Sequence, residues 1–511
     1  MHRAVVVGSG PNGLAAALRL ARAGWQVTLV EAAEEIGGAL RSETLSPGGP
    51  VHDLGASAHP LAMVSPALRG LGTPRSGAVP TGAGAAGMWR WADFDLAHPL
   101  DDGRVALVTR GRPGEVSGDW AFGHTGGPSR VPDVSAEAAA SLGPDARRWR
   151  RLIEPVVDGF PELAADVLAL PRRVPRRPVR LARFGLRAAL PATVVARRFV
   201  DAPAAALWTG LAAHGFGRLD RPLTSAAGLL LGAAAHFTGW PVAAGGSAAI
   251  VETLSAQLVA AGVQVRTGYR VDSYADLIAA VDGVPDAVLL ATGPQAAACI
   301  AGARIPARIT RALGRYRYGP AAFVVHYELD RPVPWTAKDC GRAAVVHLGG
   351  TAAQIAEAER DTAAGRMPES PFVLVSQQHV ADPGRIRAGR VPIQAYAHVP
   401  HGYGGDAAAV VTAQIERFAR GFADTVLARH ARGPTALQRW NANLVGGDIA
   451  GGATAGLQLL ARPRLSTNPY RLGARGLYLC SASTPPGGGV HGMSGWQAAG
   501  VVLADQRRGD R

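Results

Sequence analysis

The chain has 511 residues, 48% of them hydrophobic and 18% charged, which allows two or three domains and argues for a folded, soluble-type protein. Its formal net charge is +14, yet of the 53 Lys and Arg residues all but Lys338 are arginine; no basic helix with interleaved aromatics accompanies them, so nucleic-acid binding has no support. The three cysteines (Cys299, Cys340 and Cys480) are far apart and form no C-x-x-C pair, which excludes a dithiol redox centre and a cysteine-rich metal site, and no metal is expected.

In chain order, Ala4–Val7 is an apolar run suited to a buried parallel strand. Leu14–Ala23 reads as a helix closed by Gly24, and Trp25–Val30 as a second strand ending on Glu31. Between strand and helix lies GSGPNG, with Gly8, Gly10 and Gly13 in G-x-G-x-x-G spacing. Spacing alone decides little. With 65 glycines, the bare pattern should arise by chance roughly once in this chain, and it recurs at Gly82/Gly84/Gly87 and Gly487/Gly489/Gly492. The Gly82 copy has no strand before it or helix signal after it and reads as chance. The first copy sits in a full β-α-β unit. There Gly8 permits the turn, Gly10 lets a pyrophosphate approach the backbone and Gly13 lets helix pack on strand. Free N–H groups of the first turn then face the phosphates, and Glu31 is placed to accept from ribose hydroxyls.

Past Glu31 come Gly37-Gly38 and Arg41, able to admit and offset a phosphate-rich ligand, and then HDLGASAHP with Asp53 and His59. The C-terminal end carries GLYLCSASTPPGGGVHGMSGWQAAGVVLAD, Gly476 to Asp505. GSGPNG, the Glu31–Gly38 run, DLGASAHP, the segments Gly239–Val271 and Asp286–Pro294, NANLVGGDIAGG (Asn441–Gly452) and that C-terminal stretch together resemble the phytoene desaturase-related FAD-dependent oxidoreductases. Within them, the similarity is to phytoene dehydrogenase-like proteins and the pyridine nucleotide-disulfide oxidoreductase domain-containing protein 2 group.

The resemblance implies FAD as cofactor. It places Gly8, Ser9, Gly10, Pro11, Asn12 and Gly13 at the pyrophosphate, Glu31 at the adenosine ribose, Gly37, Gly38 and Arg41 nearby, and the Val271 backbone at the adenine. It sets Gly488, Gly489 and Val490 against the flavin, ahead of a helix starting near Gly492 whose N–H dipoles can stabilise negative charge on the reduced ring. At CSAST the chain departs from the wider superfamily, which carries an acidic residue there; Ser481 and Ser483 are the candidate substitutes. His491 and His59 are the candidate catalytic side chains, with a space-filling or hydrogen-bonding role as the alternative for His491. Trp240, Trp335 and Trp496 are read either as cavity walls or as core.

The expected fold is α/β: a discontinuous Rossmann-like FAD domain (1–60, 240–300 and 445–511) with an inserted α+β substrate domain (61–239 and 301–444), of amine-oxidase/phytoene-desaturase type. Strands are expected at Ala321–Leu329, Ala344–Leu348, Phe372–Ser376 and Ile393–Val399. One long amphipathic helix is expected over Asp406–His430, and a flexible loop at 111–132. In Pro171–Phe199, Arg180, Arg183 and Arg187 share a helical stripe, preceded by Arg172, Arg173, Arg176 and Arg177. That segment suits either an anionic membrane surface or a solvated face, since Phe184 blurs the separation. A first strand close to Met1 and a longest apolar stretch (Ala226–Ala235) too short for a bilayer lead to an expected cytoplasmic location.

The activity implied is dehydrogenation or desaturation of an apolar, isoprenoid or carotenoid-like substrate, with the electron acceptor and oligomeric state left open. A carotenoid ketolase, a saturase or an amine oxidase fits the same fold. So does a non-catalytic prenyl-lipid binder resembling the GDP-dissociation inhibitors.

Overall fold

The computed structural model describes residues 1–68, 87–110, 136–169, 175–281 and 283–509. The expected loop at 111–132, Gly82, Gly84, Arg172 and Arg173 lie outside them.

Two sheets organise the molecule. The first has five parallel strands in the order Leu477–Leu479, Ala287–Leu290, Arg3–Val7, Gln26–Val30, Gln264–Arg266. Val5 lies opposite Val288 on one side and Thr28 on the other. The run after Arg3 is buried at every position, as a central parallel strand covered on both faces requires. Helix Pro11–Arg22 follows, and Gly24 at φ +85° reverses the chain into the next strand. The expected β-α-β unit is therefore present, and its helix begins at the glycine turn.

The second sheet has seven strands in the order Val426–Arg432, Ala321–Leu329, Val391–Val399, Val373–Ser376, Ala343–Leu348, Phe94–Pro99, Val105–Val108. All pairings are antiparallel except Ala343–Leu348 with Phe94–Pro99. The four strands expected between 321 and 399 all form, within two residues of their expected ends. One face packs helix Ala408–Phe418 and Phe422; the other packs helices Ala146–Val157, Ala202–Ala213 and Ser225–Phe237.

One element differs. The run 406–430 is not a single helix: the helix ends at Phe418, Gly421 adopts φ +82°, and Val426–Arg432 becomes an edge strand on Ala321–Leu329, with His430 opposite His326. Gly421 breaks the helix, and the alternating exposure of VLARHAR is the period-2 pattern of a half-buried strand. In the basic segment, helices Pro178–Ala188 and Ala192–Ala196 form, with Phe184 buried and Arg183 exposed. Arg180 leaves the solvated stripe: it donates to the Asp158 backbone carbonyl at 2.6 Å.

A buried ion pair ties the sheets together. Asp53 ends a short hairpin strand and accepts from Arg385 at 2.9 Å, from the Ser42 hydroxyl at 2.7 Å and from the Ser247 N–H at 2.7 Å. Burial pushes its carboxyl up, but Arg385 and these hydrogen bonds win and hold it below its ordinary value.

Candidate dinucleotide-binding site

The glycines of the first turn have separate duties. A Cβ on Gly13 would lie 1.8 Å from the Gly8 carbonyl oxygen, so helix and strand can only meet this closely at glycine. Gly8 sits at φ +97°, with its Cα face 3.3 Å (measured from a built Cβ) from the Ala291 carbonyl oxygen. Gly10 is different: a Cβ there would meet nothing within 4 Å. Gly10 is also the N-cap of the Pro11–Arg22 helix, with no side-chain cap and no acid in the first turn. The helix thus presents uncapped N–H groups and its positive dipole end to open space beside Gly10, the geometry an anionic phosphate fills.

Glu31 follows the second strand. One carboxylate oxygen accepts from the Ser9 N–H at 2.8 Å and the Ser9 hydroxyl at 2.6 Å, and the other from the Ala33 N–H at 2.9 Å. These donors fix the carboxylate at the strand end and leave lone pairs for ribose hydroxyls. Ser9 is fully buried and its hydroxyl also accepts from the Gly37 N–H at 3.2 Å. Its side chain therefore positions Glu31 and the Gly37 loop. Val271 is buried with Val7 and Val30 at the same end of the sheet.

The Gly37-Gly38 pair is required by packing. A Cβ on Gly37 (φ +119°) would come 2.7 Å from Val251, and one on Gly38 (φ +58°) 2.9 Å from the Gly10 Cα. Arg41 then donates to the Gly38 carbonyl at 3.2 Å and the Trp440 carbonyl at 2.8 Å, with its guanidinium 4.6 Å above the Trp440 ring. Next to it, the Asn443 amide bridges the turn after Ala287–Leu290: its oxygen accepts from the Gly293 N–H at 2.9 Å and its nitrogen donates to the Ala291 carbonyl at 3.1 Å.

The C-terminal glycines arrive at the same place. Helix Met493–Gly509 packs on the first helix so tightly that a Cβ on Gly495 would lie 1.7 Å from the Asn12 carbonyl oxygen, and one on Gly492 2.9 Å from Ala15. A Cβ on Gly488 would strike the Ala450 carbonyl oxygen at 2.5 Å, and Gly489 adopts φ +122°. Val490 is half-buried against the core of the parallel sheet. Asp448 holds the loop under these glycines, accepting from Gly319, Ala450 and Gly451 N–H groups. At CSAST the Ser481 and Ser483 hydroxyls are buried and 2.8 Å apart.

Both candidate histidines are buried and neutral near pH 7. Burial pulls His491 down to about 4; its Nδ1 accepts from the Met493 N–H at 3.1 Å, and backbone groups of Gly487 and Gly488 partly offset the shift. His491 thus fastens the glycine loop to the helix start. His59 is likewise lowered to about 4 by burial. Its Nε2 meets Ser247 Oγ at 2.9 Å while that hydroxyl donates to the Ala56 carbonyl at 2.6 Å, so Nε2 carries the proton and Nδ1 is a buried lone pair without a partner. Trp240 and Trp335 are buried and donate to Leu231 and Gln377, and Trp496 lies 4.4 Å beneath Arg19.

Sequence reasoning passed over Asn443, Asp448, Arg385 and Trp440. Asn443 and Asp448 lie inside NANLVGGDIAGG, whose family likeness was the one available signal. Among the described residues no group of three or more His, Cys, Asp or Glu is arranged to hold a metal ion, and no helix is long and apolar enough to cross a membrane.

The uncapped helix start, the open face of Gly10 and the Glu31 carboxylate lie at one end of the parallel sheet, and the C-terminal glycine loop packs against the same first helix. Their chemistry fits FAD: Gly10 and the first turn could hold a pyrophosphate, Glu31 the adenosine ribose, and Gly488–Val490 would lie beside the ring.

Comparison with known proteins agrees. A family model described as an NAD(P)-binding Rossmann-like domain matches residues 6–71. The mouse and rat proteins called pyridine nucleotide-disulfide oxidoreductase domain-containing protein 2 are 46% and 44% identical to this chain over 92 residues. That stretch is 18% of this chain and only 16% of the relatives' length. Among solved structures, a putrescine oxidase bound to putrescine matches with TM-score 0.54 and 17% identity, covering 99% of both chains. A cyclohexylamine oxidase from Brevibacterium oxydans matches with TM-score 0.51 and 14% identity, over 99% of this chain and 100% of its own. An oxidoreductase from Methanosarcina mazei matches with TM-score 0.53 and 14% identity, over 98% and 100%. At these identities it is the fold that is shared. Residues 6–71 thus match the NAD(P)-binding Rossmann-like model, and the chain as a whole shares its fold with the putrescine and cyclohexylamine oxidases.

Proposed function

We propose that the protein is an FAD-dependent oxidoreductase of phytoene dehydrogenase-like type that dehydrogenates an apolar, isoprenoid-like substrate. The observation that carries this reading is that the first glycine turn, Glu31 and the start of the C-terminal helix pack at one end of the parallel sheet. FAD, when bound, supplies the two-electron acceptor; the chain's own residues hold, orient and shield. Gly10 and the uncapped N–H groups would take the phosphates, and Glu31 the ribose. The Met493–Gly509 helix start would direct its positive end at the ring edge where charge develops.

The buried, neutral state of His59 and His491 argues that neither shuttles protons at pH 7. We also place the protein at a membrane surface when it loads substrate. Val179, Leu186 and Val200 are 62%, 75% and 69% exposed among Arg183, Arg197 and Arg198, a combination suited to anionic lipid.

A second reading, oxidation of an amine, is favoured by the fold likeness to the putrescine and cyclohexylamine oxidases. Anaerobic titration of the FAD-loaded protein separates the two. Bleaching near ~450 nm by polyene or isoprenoid lipids, and not by alkyl amines, supports the first reading; the reverse overturns it. A protein that takes up no FAD would instead be a lipid-binding module.

A further inference from the structure

Two guanidinium groups share the Trp440 ring. Arg41 lies 4.6 Å and Arg432 5.7 Å from its centroid. Their compensation by acids is incomplete. Among the described residues Arg41 has no ion-pair partner, and Arg432 has only Glu43, 4.0 Å away with a side chain 43% exposed. Two donors at this spot are buried without acceptors, Arg432 Nη1 and Trp440 Nε1. Burial, aided by the nearby charge of Arg41 and opposed by Glu43, lowers the Arg432 guanidinium, so the pair is held together against its own repulsion.

The surroundings say what completes it. Arg41 is anchored to the Gly38 carbonyl and the Trp440 carbonyl. Asn441, the next residue along, lies 3.9 Å from a Cβ built on Gly38, and Gly38 rests on Gly10. Through Gly38 the paired cations therefore adjoin the glycine turn whose residue Gly10 begins the uncapped helix. Buried donors left over in a folded protein call for an acceptor, and two close cations call for an anion carrying more than one charge.

We propose that Arg432, held with Arg41 against the Trp440 ring, is a second cationic arm for the pyrophosphate of the bound dinucleotide. This rests on the FAD reading above. Arg432 is delivered by the edge strand Val426–Arg432, so the cofactor is clasped by the second sheet as well as by the Rossmann unit. Arg432 would then contribute to affinity for ligands with a pyrophosphate and not to recognition of the flavin ring.

The test is equilibrium binding to the flavin-free protein, followed by quenching of flavin fluorescence, with FAD and with riboflavin as probes at several salt concentrations. Arg432→Ala should weaken FAD by about tenfold or more and flatten its salt dependence, while riboflavin binding stays within about twofold. Arg432→Lys should recover part of the FAD affinity, because the charge returns without the planar stacking fork. Glu43→Gln, which removes the competing carboxylate from an exposed position, should tighten FAD binding by about twofold or more and keeps the test open if Arg432→Ala does not fold. If wild type binds FAD and Arg432→Ala matches it, if Glu43→Gln does not tighten FAD, or if FAD and riboflavin weaken together, the Arg432 inference fails and the FAD reading stands. If wild type binds no FAD, both fail.

Discussion

Acidification should unfold this protein well above the usual carboxylate range, because an unusual number of its histidines are buried neutral. Nine of the fourteen histidines in the sequence are pulled below the ordinary value of 6.5, with burial the largest cause at each. His52 and His326 face each other; His98, His214 and His347 cluster under the seven-stranded sheet; His59, His236, His379 and His491 stand apart. Eight of them sit at about 3 to 4, and His347 is held well below its ordinary value. A depressed histidine gives stability that is fully present above 6.5 and is lost as pH falls toward the folded value, because the unfolded chain binds the proton first.

Between about pH 7.5 and 5.5, each such group costs about 1.4 kcal/mol, and nine together about 12 kcal/mol as an upper bound. Asp95 works in the other direction: burial pushes it up to about 6, so it regains about 0.8 kcal/mol over the same window. Even a third of the net figure is a large share of a typical folding free energy of about 5–15 kcal/mol. The assay is urea unfolding at intervals across that range. The midpoint should fall steeply below pH 6.5, and His379→Gln should make the fall shallower by one proton's worth. A midpoint flat from pH 7.5 to 5.5 would refute the reasoning.

Other expectations follow from single contacts. Gly10→Ala should leave the stability of the flavin-free protein within about 1 kcal/mol, since φ is −63° and the new methyl meets nothing. It should nevertheless weaken FAD at least about tenfold by filling the phosphate space. Gly13→Ala, with its methyl 1.8 Å from a backbone oxygen, should cost about 3 kcal/mol or more in thermal or urea unfolding. Asp53→Asn should cost up to about 3 kcal/mol, because the buried Arg385 keeps only Asp382, at 3.6 Å, as a charged partner, and Asp53→Asn/Arg385→Met should recover part of that loss. Vesicles containing anionic lipid should retain the protein in flotation at low salt, and Leu186→Glu with Val179→Glu should release it.

What could be read from the sequence was local. The β-α-β unit was legible because strand, turn glycines, helix and Glu31 lie within one short stretch and agree with one another. The strands between 321 and 399 were legible as β-rich runs flanked by turns. The strand Val426–Arg432 was not, because its pattern adjoins a true helix and its partner is a strand a hundred residues earlier in the chain. The Asp53–Arg385 pair, 332 residues apart, and the joint service of Asn443 and Asp448 at the glycine turns exist only after the sheets meet. For His491 and His59, the sequence suggested proximity to the flavin loop; the degree of burial, which sets their protonation, is a property of packing alone.

The central claim is that Gly10, Glu31 and the C-terminal glycines together hold FAD. The most direct measurement is the visible spectrum of the purified protein, alone and after incubation with FAD and removal of the excess, alongside Gly10→Ala. Flavin bands near ~450 nm that stay with wild type, leave on denaturation and are absent from the folded Gly10→Ala variant are the predicted result. A wild-type protein that remains colourless after exposure to FAD would contradict the account.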